Sequence, residues 1–265
     1  YLSYAKGDSA ANGTAIYRAR LEGDTLVAGA DILWLNDKKN TAQHYGGRLL
    51  FLPDNSLLLA TGDGFDFREQ AQNGSNELGK VLRILDDGSV PADNPFHTTG
   101  SERVWTLGHR NPQGLTLDRS TGTVYLHEHG PKGGDEVNVL QAASNYGWPA
   151  ATHGVDYSGA YVSPFTQLPG MAPPLHYWVP SIAPSGFAWY GGDKFPAWQG
   201  KLLVGALVDK EVRLLSLEDG AIVDEAPLFA ELGERIRDVK EGSDGFVYLL
   251  TDAEAGALIR VTPAR

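Results

Sequence analysis

Short apolar runs rich in Leu, Val, Ile, Phe and Tyr alternate along the whole chain with clusters of Gly, Asp, Asn and Pro, and no window holds a helical period. The pattern predicts strands joined by tight turns, an all-β protein. One motif returns: a small residue, an apolar strand, a Pro/Asp/Gly turn, then a second apolar strand ending in Gly or an acid. Copies run over residues 47–63, 114–128 and 236–252, and a looser copy begins at Gly186 with strands over 187–190 and 201–207. Asp54-Asn55, Thr121-Gly122 and Asp244-Gly245 supply the turn geometry that reverses each strand. A lone hairpin cannot bury its apolar face, so hairpins repeated at roughly 50–70 residues predict the blades of a β-propeller with long connections, a β-sandwich being the alternative. The Gly-, Pro-, Tyr- and Ser-rich residues 144–174 read as a long excursion between blades, of a length that usually carries function.

Composition narrows the chemistry. The 265 residues include no cysteine, which removes disulfides, thiolate metal sites and a cysteine nucleophile. A net charge of −11, from 33 acidic and 22 basic side chains, disfavours nucleic acid and anionic membranes as partners and suits cations. No apolar run approaches the ~20 residues of a membrane span.

Four polar stretches lie at strand ends. His44, at the entry to the first hairpin, is a natural general base, and Asp63 at the far end of that hairpin is placed to orient its imidazole. A structural histidine and a turn-capping Asp63 are the plainer alternatives. Arg110 and Asn111 stand between Gly108 and Pro112, where a planar guanidinium can meet a carboxylate or a developing oxyanion, or else staple two blades. In Glu128-His-Gly-Pro-Lys-Gly-Gly-Asp-Glu136, Gly130 and Pro131 expose backbone carbonyls while Asp135 and Glu136 add hard oxygens suited to calcium, a site that Asp156 could join through the long loop; a turn decorated with solvated acids is the plainer alternative. His109, His127 and His129 invite a transition-metal reading, with 127 and 129 on one strand face. Arg235 and Arg237, two apart on a strand, form a cationic clamp for an anionic ligand or pair with Glu211 or Asp238.

Six motifs occur together: His44-Tyr-Gly-Gly-Arg48, Gly79-Lys-Val-Leu-Arg83, Asp93-Asn-Pro-Phe96, Leu107-Gly-His-Arg-Asn-Pro-Gln-Gly114, Asn145-Tyr-Gly-Trp-Pro149 and Arg235-Ile-Arg-Asp-Val239. In this order they make the chain resemble the soluble, pyrroloquinoline-quinone (PQQ)-dependent glucose/sorbosone dehydrogenases, in their aldose sugar dehydrogenase branch. The resemblance implies a six-bladed propeller, periplasmic or secreted, that oxidises the C1 hydroxyl of an aldose to a lactone and passes two electrons to an external acceptor. It implies His44 as base, Asp63 as its partner and Arg110 as oxyanion donor. Asn111, Arg235 and Arg237 match cofactor-holding positions, and Ser181 contacts the cofactor by position. Gly130 and Pro131 match the carbonyl ligands of a quinone-bound calcium ion, and Glu136, the Tyr146 carbonyl and Asp156 those of a structural calcium ion.

Three positions depart from the family. Val208 stands where relatives carry a quinone-contacting lysine, and Lys210, two residues on, is expected to replace it through strand alternation. His129 and Tyr45 replace amide side chains of glucose-specific relatives. The copies near 47, 114, 186 and 236 imply roughly 63 residues per blade, so 265 residues are expected to hold about four and a half blades, without the first blade of the relatives. A calcium-dependent sugar lactonase and a non-catalytic binding propeller are the competing functions.

Overall fold

The computed structural model describes residues 1–263. Every sheet is antiparallel and takes its strands in chain order, so each is built from local reversals. The first holds β1 (Leu2–Gly7), β2 (Asn12–Glu22) and β3 (Thr25–Trp34), and the second β4 (Gly46–Phe51), β5 (Leu57–Thr61), β6 (Lys80–Ile84) and β7 (Val104–Leu107). The third holds β8 (Pro112–Asp118), β9 (Thr123–Glu128), β10 (Asp135–Leu140) and β11 (His176–Trp178). The fourth holds β12 (Pro184–Tyr190), β13 (Lys201–Ala206), β14 (Glu211–Glu218) and β15 (Ala221–Leu228), and the fifth β16 (Ile236–Glu241), β17 (Val247–Thr251) and β18 (Leu258–Val261).

The fold is an all-β propeller, with five blades among the described residues. This corrects the expectation of a six-bladed type. The repeat motif passed over the first sheet because residues 17–22 of β2 alternate apolar side chains with Arg18, Arg20 and Glu22 and β3 is largely exposed, so neither strand is the continuous apolar run that marks the other copies.

The expected hairpins form for the expected reason. Asp54 Oδ1 accepts from the backbone and hydroxyl of Ser56, Asp118 Oδ1 from those of Ser120, and Asp244 Oδ1 from the Phe246 backbone. Asn55, Gly122 and Gly245 take the left-handed conformation beside them. β5 is buried along its whole length, which explains its unbroken Leu-Leu-Leu-Ala-Thr run.

The described residues divide into two compact units: residues 1–112, 141–152 and 163–173, and residues 113–140, 153–162 and those from 174 onward. The first unit packs Ile16 and Leu33 against Leu57, Leu59, Leu82 and Ile84. In the second, Val137, Phe187, Leu202 and Val204 join the third and fourth sheets, and Leu203, Val212, Ile236, Val239 and Leu249 join the fourth and fifth. Burial of such side chains contributes about 1.5–3 kcal/mol each. The cores hold the strand ends still, and the polar groups lie there.

Candidate active site

In the first unit, β4 and β5 pair Gly46 with Thr61, so continuing the ladder by two residues at that end sets His44 opposite Asp63. His44 takes a left-handed φ of 50°, and Gly62 lets the strands close, since a Cβ there would sit 2.2 Å from the His44 carbonyl oxygen. His44 Nδ1 donates to Asp63 Oδ1 across 2.7 Å. The same oxygen accepts from the Phe65 N–H at 2.8 Å, and Oδ2 accepts from Trp148 Nε1 at 2.7 Å. Asp63 is fully buried, so three donors compensate its desolvation. With Nδ1 engaged, the lone pair of a neutral His44 lies on Nε2.

Arg110 is buried, and its guanidinium carbon stands 5.4 Å from the Trp148 ring centroid while its carbonyl accepts from the Asp63 N–H. Trp148 therefore touches both the carboxylate behind the imidazole and the arginine. Its own backbone is fixed by the Gly108 carbonyl and by Gln72, which also bonds Asn145. Asn111 is buried next to Arg110. Lys39, 2 % exposed, bonds the Thr41 carbonyl and Asn12 and lies 3.4 Å from the Tyr45 ring centroid; burial lowers its ammonium to about 8. It braces the segment that delivers His44.

The second unit holds the rest. Gly130 packs so closely that a Cβ would lie 2.2 Å from the Gly133 carbonyl, and the turn from Gly130 to Gly134 docks on Val155 through Lys132. Asp135 is fully buried and accepts from Gly130 N–H, Ser181 Oγ, Ile182 N–H and Ala183 N–H, so it ties this turn to residues 181–183. Ser181 thus gives its hydroxyl proton to Asp135, a task its predicted cofactor contact did not include. Asp156 Oδ1 accepts from both Ser158 groups, one residue beyond the Lys132–Val155 bridge.

Glu136 on β10 faces Glu128 on β9 directly. Burial first, and then the Glu128 carboxylate, hold its carboxyl well above the ordinary value. Asn138, next on that face, is fully buried, and its Oδ1 has no hydrogen-bond partner. Tyr146 belongs to the first unit, where its hydroxyl accepts from Gln141 N–H and its ring stacks on His109.

The three histidines do not converge. His109 meets Thr106, His127 packs on Phe187 and His129 meets the Pro184 carbonyl, and no group of three or more His, Asp or Glu suited to a metal exists among the described residues. The Lys210 expectation loses its basis: β13 ends at Ala206, and Lys210 sits exposed in the following turn with φ 57°, where strand alternation does not operate. Arg235 and Arg237 pair with neither Glu211 nor Asp238. Both hold Asp252, Arg235 Nε at 2.9 Å from Oδ2, Arg237 Nε at 3.2 Å from Oδ1 and Nη2 at 3.0 Å from Oδ2. Glu211 is taken by Arg213 instead.

Sequence reasoning missed Trp148, Lys39 and Asp252 as contributors. Asp252 was findable: β16 and β17 pair Ile236 with Thr251, so the ladder runs on to Arg235 and Asp252.

Residues 1–260 match the family model described as Glucose / Sorbosone dehydrogenase. The chain is 45 % identical to the uncharacterized protein slr1608 of Synechocystis over 98 % of its length and 66 % of the relative's. It is 40 % identical to the aldose sugar dehydrogenase YliI of Escherichia coli over 99 % of its length and 72 % of the relative's. It thus spans about two thirds of the length of these curated relatives. A crystal structure of a glucose dehydrogenase superposes with a TM-score of 0.95 at 41 % identity, over 99 % of this chain and 78 % of the other. The PQQ-bound form of an aldose sugar dehydrogenase from Streptomyces coelicolor superposes with a TM-score of 0.73 at 25 % identity, over 97 % and 73 %. A match across nearly the whole chain, carried by relatives of this similarity, makes it a member of the glucose/sorbosone dehydrogenase family.

Proposed function

We propose that the protein acts as a quinoprotein aldose sugar dehydrogenase, oxidising the C1 hydroxyl of a pyranose to the lactone. The observation that carries this reading is the His44–Asp63 dyad joined to Arg110 through Trp148, in a chain whose relatives include named sugar dehydrogenases. PQQ, when bound, supplies a two-electron acceptor for the hydride leaving C1.

His44 takes the hydroxyl proton on Nε2, and Asp63 holds the ring in that tautomer and stabilises the imidazolium that results. Arg110, fixed on Trp148, supplies positive charge where oxyanion character develops, in a dry setting that strengthens it. Arg235 and Arg237, in the second unit, would hold the cofactor's polar edge. The donor chemistry fits: the arginine pair already grips a carboxylate, and the quinone carries three.

Calcium fits as well. The Gly130–Pro131 turn offers backbone oxygens, and the facing Glu128 and Glu136 beside the unpartnered Asn138 Oδ1 offer hard ligands that a divalent cation would reconcile. The resemblance gives Gly130 and Pro131 to the ion that accompanies the quinone, and Glu136 and Asp156 of the second unit to a structural one. No helix among the described residues is long and apolar enough to cross a membrane, and the family resemblance supports a periplasmic or secreted setting.

The test is reconstitution of the protein with quinone and calcium followed by dye reduction with aldoses. Sugar-dependent reduction with lactone formation is expected. Lactone hydrolysis without quinone, in place of dye reduction, would replace the dehydrogenase with a lactonase.

A further inference from the structure

The carboxylate between Arg235 and Arg237 poses a question of sign. Asp252 lies in an anion-binding pair and removes one of its two positive charges, so simple Coulomb reasoning makes it an obstacle to an anionic ligand. Geometry points the other way. Arg235 Nε and Arg237 Nη2 share Asp252 Oδ2, Arg237 Nε takes Oδ1, and Arg235 Nη1 reaches the Leu207 carbonyl at 3.4 Å. The backbone is closed at the same place, since the Asp252 N–H donates to the Arg235 carbonyl at 2.8 Å.

These contacts use two of the five N–H groups of each arginine, which leaves six for a ligand. The two arginine side chains are 44 % and 42 % exposed, so the clamp opens to solvent. Two long side chains of like charge held this close would otherwise splay apart and sample many rotamers, and freezing them on binding costs conformational entropy.

We propose that Asp252 is the positioning residue of this clamp: it draws the two guanidinium groups together and holds them ready for the carboxylates of a planar, multiply charged ligand. The inference rests on the quinone reading for the identity of that ligand. Its core, that one carboxylate orders two arginines for anion capture, rests on the side chains alone.

Two measurements on the full chain decide it. In the ligand-free protein, the Nε–H signals of Arg235 and Arg237, assigned by R235K and R237K, are expected to be sharp, to broaden or vanish in D252N, and to return in part in D252E. Quinone titrated into the same proteins, followed by tryptophan quenching, is expected to bind at least tenfold more weakly to D252N although that variant is more positive, with D252E intermediate. Unfolding midpoints identify any variant that has lost its fold, and D252E is then compared directly with the parent. Equal or tighter quinone binding by folded D252N, or unchanged Nε–H signals, overturns the proposal. A parent chain that takes up no quinone but shows the expected signal loss overturns the cofactor reading instead, and citrate as probe, weakened in D252N, then upholds the clamp.

Discussion

Asp63 and Asp252 each hold nitrogen donors at the end of a hairpin, and they do so in opposite surroundings. Asp63 is fully buried beneath an imidazole, an indole and a backbone N–H, whereas Asp252 is 31 % exposed between two half-exposed arginines. A buried carboxylate held by three donors cannot relax toward water, so it fixes one tautomer and one ring orientation for its histidine. An exposed carboxylate shared by two guanidinium groups is screened and exchangeable, and it leaves donors facing solvent. Proton transfer needs the first arrangement and anion capture needs the second.

The sharpest way to break this contrast is at Asp63. Asp63→Asn keeps the shape but presents an NH2 group to His44 or to Trp148, and an Asp-to-Asn change behind a catalytic histidine lowers turnover by about ten-thousand-fold in the best-studied case. Turnover of the quinone- and calcium-loaded protein is expected to fall by three to four orders of magnitude, with quinone affinity retained; a loss below tenfold would deny Asp63 its orienting role. Arg110→Ala comes next, raising the barrier by ~2.7–4 kcal/mol, the effect of removing one oxyanion donor. Unchanged turnover would remove Arg110 from the site.

Trp148→Phe tests the residue common to both. It keeps an aromatic ring beside Arg110 but deletes the N–H to Asp63, a hydrogen bond to a charged acceptor that contributes about 1.5–3 kcal/mol, together with part of a buried indole's volume. Turnover is expected to drop about tenfold with KM nearly unchanged, and the urea midpoint to fall correspondingly. Retention of both would make Trp148 a packing residue only.

These residues also mark what could be read from the chain beforehand. The His44–Asp63 contact was legible because a hairpin with a defined turn sets its own register, and both residues lie just past its last pair. Trp148 was not, because its bond to Asp63 spans 85 residues and an indole in a Gly/Pro-rich loop resembles any buried aromatic. Asp252 was overlooked in favour of Asp238, which is nearer in sequence but bonds the Val239 N–H. Lys210 failed because period-two reasoning was carried past the end of a strand. The first sheet escaped because β2 alternates with Arg18 and Arg20 and β3 is largely exposed, so neither shows the continuous apolar run of the repeat.

The smallest effect belongs to the stability of the exposed cluster. Hydrogen bonds from Arg237 and then Arg235 hold the Asp252 carboxyl below its ordinary value. A depressed carboxyl pKa contributes stability that is fully present above the unfolded value of about 3.9 and is lost as pH falls through the lower folded value. Comparing parent and Asp252→Asn by urea unfolding should therefore give a difference that is flat from neutral pH down to about 4 and shrinks below it. Solvent screening caps it at about 1 kcal/mol, and added salt reduces it further. A gap that widened on acidification would mean that the arginines do not hold the carboxylate down, one that ignored salt would mean that Asp252 is shielded from solvent as Asp63 is, and either result would end the contrast between a dry orienting carboxylate and a wet positioning one.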